Sequence, residues 1–237
     1  MSATWAIVVA AGRGLRMGSA VPKQFVDVAG RPLVAHTLDA LLAHPGIDGA
    51  VLAIPRGARA LVTTSVLRRL ITAKPVKLAT GGATRAESVM KALAQVPARA
   101  GTVLVHDGAR PRVSLALVDR LLAAVARHGA AIPGVPAVDT LKERTPSGFV
   151  KRTLARESIV CVQTPQAFAR DVLERAFREA GARMAEATDC SGLVERTGVR
   201  VAIVPGERDN VKVTEPQDLV LLEGFLASRP RPVAGSV

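Results

Sequence analysis

Hydrophobic residues along this chain cluster in short runs, separated by longer stretches in which they recur every three or four positions. The runs at 6–10, 50–54, 76–79, 102–106, 130–135 and 199–204 read as buried strands. Between them, Val34, Leu38, Leu41 and Leu42 share a helical face, as do Ala86, Val89, Met90 and Leu93. Val118, Leu121, Leu122 and Val125 repeat the pattern, and so do Val172, Leu173, Ala176 and Phe177. These stripes read as core-facing. Such strand–helix alternation predicts an α/β fold: a Rossmann-like, mostly parallel sheet flanked by helices. Parallel strands need right-handed crossovers, and ligands then sit beyond the carboxyl ends of the strands. The residues that follow each strand are therefore expected to face one shared site.

One segment breaks the alternation. Residues 138–162 have no helical face, and Pro146-Ser147-Gly148 reads as a turn between two short alternating stretches. A protruding β-hairpin arm is expected there. An exposed arm needs something to pair with, and a second copy of the chain is the simple candidate. Residues 229–237 contain prolines and are expected to be a disordered tail, leaving 1–228 as a single domain.

Composition narrows the partners. With 237 residues and 49% hydrophobic positions, the chain can bury one large core. No apolar run is long enough to span a membrane, and no Lys or Arg precedes the first one as in a secretory signal. A soluble cytoplasmic protein is expected, with Cys161 and Cys190 as free thiols. His36, His44, His106 and His128 form no local cluster, so the sequence supports no zinc site. The net charge of +12 favours anionic partners. Nucleic acid is not expected among them: the basic residues are scattered, and stacking platforms are few, with no Tyr, one Trp and five Phe.

Candidate chemistry follows the strands. After the first comes AAGRGLRMGSAVPKQF, from Ala10 to Phe25. The G-x-x-x-x-G-K-[ST] of a P-loop is absent. Gly12, Gly14 and Gly18 give G-x-G-x-x-x-G, one residue too long for a dinucleotide fingerprint, which disfavours hydride transfer. What remains is a glycine-rich turn with Arg16 and Lys23. It is either a phosphate cradle or a plain turn with two exposed cations. After the third strand, Gly81-Gly82 permits close backbone approach and Thr84 can cap a helix. After the fourth comes His106-Asp107-Gly108-Ala109-Arg110-Pro111. Its Asp can hold Mg²⁺ among phosphates and its Arg can fork onto one, or the two can form an ion pair that fixes the turn.

Taken together, these loops resemble a known family. Ala10–Gly18 is similar to the signature loop of nucleotidyltransferases that activate sugar phosphates. Pro22-Lys23-Gln24, the motif from His106 to Pro111, Thr164-Pro165-Gln166 and Asp209-Asn210-Val211-Lys212-Val213-Thr214 narrow the resemblance to the 2-C-methyl-D-erythritol 4-phosphate cytidylyltransferases. The resemblance implies a single nucleotidyltransferase domain over 1–228. It implies that CTP and a sugar-alcohol phosphate are the substrates, with Mg²⁺ as cofactor and a homodimer formed through the arm. It gives Arg16, Lys23, Arg156 and Lys212 catalytic roles. Ala10, Ala11, Gly12, Gly14, Gly81, Gly82, Arg85 and Ser88 would bind the nucleotide, with Ser88 and the backbone at Ala10, Ala11 and Gly82 reading cytosine. Asp107, Arg110, Thr140 and Thr164 would line the substrate pocket, and Asp107 would lie at the metal. Two positions depart from the family pattern: Ala83 and Cys190 stand where acidic residues are often found. A sister activity on ribitol 5-phosphate would share the fold and the CTP site. Thr140 and Lys212 also have purely structural readings, as an arm hydrogen bond and a surface lysine.

Overall fold

The computed structural model describes residues 2–12 and 22–227. Gly14, Arg16 and the expected tail lie outside the described residues. The strands are β1 (Ala3–Val9), β2 (Asp27–Val28), β3 (Arg31–Pro32), β4 (Gly49–Ile54), β5 (Val76–Thr80), β6 (Ala100–Asp107), β7 (Ala130–Pro136), β8 (Lys142–Arg144), β9 (Val150–Thr153), β10 (Val160–Val162), β11 (Gln166–Ala169) and β12 (Ala202–Pro205). The helices are α1 (Leu33–Leu42), α2 (Arg59–Leu61), α3 (Arg85–Leu93), α4 (Leu115–His128), α5 (Arg170–Ala180), α6 (Cys190–Glu195) and α7 (Pro216–Ala227).

The parallel heart of the main sheet runs β6-β1-β4-β5. The chain moves outward from β1 to β4 and β5, then returns to lay β6 on the other side of β1. That reversal opens a crevice at the carboxyl ends of β1 and β6, the usual place for a ligand in such sheets. β1 and β4 are covered on both faces and are mostly apolar, whereas the edge strand β5, expected to be buried, leaves Lys77 and Thr80 exposed because no strand follows it in the sheet. Alternation divides the strands: Ala6, Val8, Leu52 and Leu104 pack with α1 and α4, while Trp5, Ile7, Val51 and Val105 pack with α3, α5 and α6. Fully buried side chains such as Ile7, Leu52 and Leu104 each contribute roughly 1.5–3 kcal/mol over an exposed position.

The helical stripes pack inward as expected, with one exception. At 100° per residue, the buried arc of α3 runs from Ser88 through Ala92, Val89 and Leu93 to Ala86. Met90 falls just past its edge and is 36% exposed. Thr84 caps α3 through the Glu87 N–H, and Asp189 caps α6 through the Gly192 N–H.

Two strand expectations need correction. The sequence pattern did not reveal β11, which runs antiparallel between β6 and β7 and makes the sheet mixed. Four residues after a proline are too few to show a period. The expected arm at 138–162 is also too long. The hairpin is β8 with β9, turning at Gly148 in a left-handed conformation (φ +91°), whereas β10 belongs to the main sheet. Ala131 and Gly134 of β7 each have partners in two strands: β12 in parallel, and β11 or β10 in antiparallel. β10 and β11 are thus two halves of one strand along the same edge of β7, interrupted at Gln163-Thr164-Pro165. The Thr164–Pro165 peptide is cis.

Candidate functional site

The loops after β1, β5 and β6 meet over the crevice, as the strand order requires. They enclose a cavity of about 510 Å³ together with Lys23, Gln24, Lys212 and Thr214. The loop after β4 does not take part.

One wall is neutral and close-fitting. Ala10, Ala11 and Gly12 follow β1, and the Ala10 N–H donates to the Ala53 carbonyl at 2.9 Å. Gly81 follows β5, and its N–H donates to the Ile54 carbonyl at 2.8 Å. A Cβ at Gly81 would stand 2.3 Å from Ala11 Cβ, so glycine is what lets these two loops touch across the end of β4. The Ser88 hydroxyl accepts from the Gly82 N–H at 3.0 Å and donates to the Thr84 carbonyl at 2.9 Å. The Gly82 N–H is thus held by Ser88, and both residues line the cavity. Glu87 accepts from the Ala83 N–H, which places a carboxylate beside the position where the family often has its own acid.

The facing wall is charged. Asp107 ends β6 with its side chain 12% exposed. Its Oδ1 accepts from Arg85 Nε at 3.1 Å and Nη2 at 3.0 Å, and its Oδ2 lies 2.7 Å from Lys212 Nζ. Burial by itself would raise the Asp107 carboxyl. Arg85 and Lys212 overturn that and hold it well below the ordinary carboxylate range. Lys212, read from sequence either as catalytic or as a surface lysine, is therefore tied into the site. Lys23 Nζ donates to the Val213 carbonyl at 2.7 Å, which places it at the same cavity. Behind Arg85 lies Cys190, with Sγ 3.7 Å from Nη1. Burial pushes this thiol up to about 11, so it stays neutral.

Beneath the charged wall, a hydrogen-bonded chain fixes the Asp107 loop. His106 is fully buried, and burial drives its pKa down to about 4. Its Nε2 sits 2.9 Å from the Arg110 carbonyl, which can only accept, so Nε2 carries the proton. Nδ1 then accepts from the Thr164 hydroxyl at 2.8 Å, whose oxygen accepts from the Asp107 N–H at 3.0 Å. Arg110 Nη1 donates to the Asn210 carbonyl, and Asn210 Nδ2 donates to the Thr164 carbonyl. Thr164 and Arg110 therefore support the wall rather than line the cavity.

The arm residues are not brought to the cavity by this chain alone. Thr140 is exposed. Arg156 is also exposed, and its Nη1 donates to the Val138 carbonyl at 2.7 Å. Three residues with clear structural work had no assigned role in the sequence, although each stood inside a quoted motif. They are Gln24, His106 and Gln166, whose Oε1 accepts from the N–H groups of Cys190 and Ser191. The signal was their adjacency to Lys23, Asp107 and Thr164.

Among the described residues, no three His, Cys, Asp or Glu side chains gather as a metal site. Asp107 is the one carboxylate among the described residues that line the cavity. Mg²⁺ characteristically keeps waters and takes one or two carboxylates plus substrate phosphates, and to take it here Asp107 would exchange Arg85 or Lys212 for the ion. No helix among the described residues is long and apolar enough to cross a membrane.

Comparison with known proteins gives a consistent picture. The model of the 2-C-methyl-D-erythritol 4-phosphate cytidylyltransferase (IspD) family matches residues 4–228. A protein of that name from Xanthomonas campestris pv. campestris (strain 8004) is 47% identical, over 96% of this chain and 86% of its own length. Another, from Pelotomaculum thermopropionicum, is 41% identical over 94% of each chain. The crystal structure of the Thermus thermophilus protein of the same name superposes with a TM-score of 0.76 at 36% identity, covering 96% of this chain and all of that one.

Proposed function

Because the chain belongs to the 2-C-methyl-D-erythritol 4-phosphate cytidylyltransferase family, we propose that it joins CTP to 2-C-methyl-D-erythritol 4-phosphate, giving the CDP-alcohol and pyrophosphate for non-mevalonate isoprenoid synthesis. The observation that carries this reading is a single cavity with a neutral backbone wall on one side and Lys23, Arg85 and Lys212 around Asp107 on the other. An oxygen of the sugar-alcohol phosphate attacks the α-phosphorus of CTP. The bond from that phosphorus to the bridging oxygen of pyrophosphate breaks, and pyrophosphate leaves with the electron pair.

Little covalent work falls to the protein, so positioning and charge stabilisation supply the rate. Lys23, joined by Arg16, stabilises charge on the triphosphate. Lys212 swings between Asp107 and the incoming phosphate. Asp107 stays ionised throughout and would hold Mg²⁺, which neutralises phosphate charge when bound. Thr140 and Arg156 reach a substrate only if a second subunit supplies them. The standing-off hairpin, with Phe149 74% and Val150 63% exposed, is the surface for such a homodimer.

Pyrophosphate release tests the reading directly. With Mg²⁺ present, CTP and methylerythritol phosphate should release it, whereas ATP, GTP or UTP in place of CTP, or ribitol 5-phosphate as acceptor, should not. Release with ribitol 5-phosphate alone would move the activity to the sister reaction. Silence with every pair would overturn it.

A further inference from the structure

The motif Pro22-Lys23-Gln24 contains a side chain that the reaction does not use. Gln24 is 4% exposed, yet it lines the cavity. Its Nε2 donates to the Ala10 carbonyl and to the Gly12 carbonyl, both at 2.7 Å. Two acceptors at that distance identify the atom as the amide nitrogen, and they use both of its hydrogens.

The consequence lies in the peptide planes. In a trans peptide the C=O and the following N–H point in opposite directions. Drawing the Ala10 carbonyl toward Gln24 therefore turns the Ala11 N–H away from it. A glycine-rich loop has little stiffness of its own. Within Ala10–Gly12, one amide reaching in from outside holds two carbonyls, in addition to the bond from the Ala10 N–H to Ala53.

The turn that carries Gln24 is anchored on both sides. Lys23–Phe25 is a single 3₁₀ turn. Phe25 is buried in the same core cluster as Ala10 and Val34. Lys23 reaches the Val213 carbonyl in the loop that carries Lys212. Gln24 reaches the loop after β1. Three consecutive side chains thus tie the nucleotide wall, the charged wall and the core together.

We infer that Gln24 is a positioning residue that sets the backbone orientation of the Ala10–Gly12 loop for the nucleotide triphosphate. This rests on the cytidylyltransferase reading above. It also predicts an asymmetry: losing the amide disturbs handling of CTP and leaves handling of the sugar phosphate intact, because that side is held by His106, Thr164 and Asn210.

The experiment compares the wild-type chain with Gln24→Glu and Gln24→Met. Glu keeps the shape but sets oxygens against two carbonyls. Met keeps the length with no donor, and it stands in should Glu fail to fold. Steady-state kinetics with each substrate varied in turn, thermal melting, and calorimetric titration with CTP are measured on all three. The expected result is a rise of about tenfold or more in KM and Kd for CTP, with KM for methylerythritol phosphate within about twofold of wild type. An unchanged CTP KM and Kd in both variants would overturn the inference. So would equal rises in both KM values tracking a fall in melting temperature, which would mark a purely structural glutamine. An inactive wild-type chain would instead overturn the cytidylyltransferase reading, and the two failures are thereby distinguished.

Discussion

On one side of the cavity, the loops after β1 and β5 offer backbone, alanine and glycine, fitted so closely that a Cβ at Gly81 would collide with Ala11. On the other, Asp107 is clasped by Arg85 and Lys212 within about 3 Å. The neutral side depends on shape, and the charged side on electrostatics. Shape of this kind fails in steps when bulk is added, because backbone cannot give way. Electrostatics fail through loss of charge, often with little change in packing. The two walls should therefore respond to different perturbations, and each can be altered while the other serves as its control.

The largest effect is expected from Lys212→Ala. It removes a full charge from the reacting centre while Arg85 still pairs with Asp107. The turnover rate should fall on the order of a hundredfold to a thousandfold, the scale seen for a lost transition-state donor. Melting temperature should change little, because this side chain is 39% exposed. A parallel collapse of folding would mean that the charged wall is structural scaffolding. Gly81→Ala should do the reverse. It should cost about 1–3 kcal/mol of stability through the clash and raise the CTP KM, with turnover at saturating CTP much less affected. An undisturbed melting curve together with an unchanged CTP KM would show that the close approach is not needed.

A third perturbation is acid. His106 sits under the charged wall with its pKa lowered to about 4, against an ordinary value near 6.5. The unfolded chain takes up this proton first as pH falls. The stability that neutral His106 contributes is thus complete above about pH 6.5 and is lost progressively toward pH 4. That loss is on the order of 3 kcal/mol if the histidine remains fully buried. Asp107 responds in the same direction but lower in pH. Its pairing holds above the ordinary carboxylate range and is lost only as pH falls through its depressed value. Urea titrations of wild type and His106→Gln between pH 4 and 7 would isolate the histidine, because the variant should lose most of the slope. An identical slope in both would assign it to other groups.

Much of this architecture was legible in the chain itself. Unbroken runs such as Ala50–Ile54 announce a strand covered on both faces, and the loops after β1, β5 and β6 converge as the rule for parallel sheets requires. Lys23, Arg85, Asp107 and Lys212 meet at one cavity although they are far apart in sequence. What could not be read is equally specific. β11 is four residues long and gives no period. The division of 138–162 between a free hairpin and β10 depends on pairing with β7, which no local pattern encodes. Thr164 and Arg110 carry the right chemistry for a pocket, but their hydrogen bonds turn them to supporting the wall from beneath. Gln24 looked like a neutral neighbour of a catalytic lysine, because a glutamine declares its partners only in three dimensions.

The hydrogen bond from Lys23 to Val213 joins residues 190 positions apart. It carries a temporal consequence. A chain emerging from the ribosome can form β1, α1 and β4 early, but the charged wall waits for residues 209–214. Contacts of such separation form late because their loop-closure entropy must be offset by structure already in place. Nascent fragments can therefore hold much of the sheet while lacking the assembled site. The cell obtains an assembled cavity only after residues 209–214 have joined the fold.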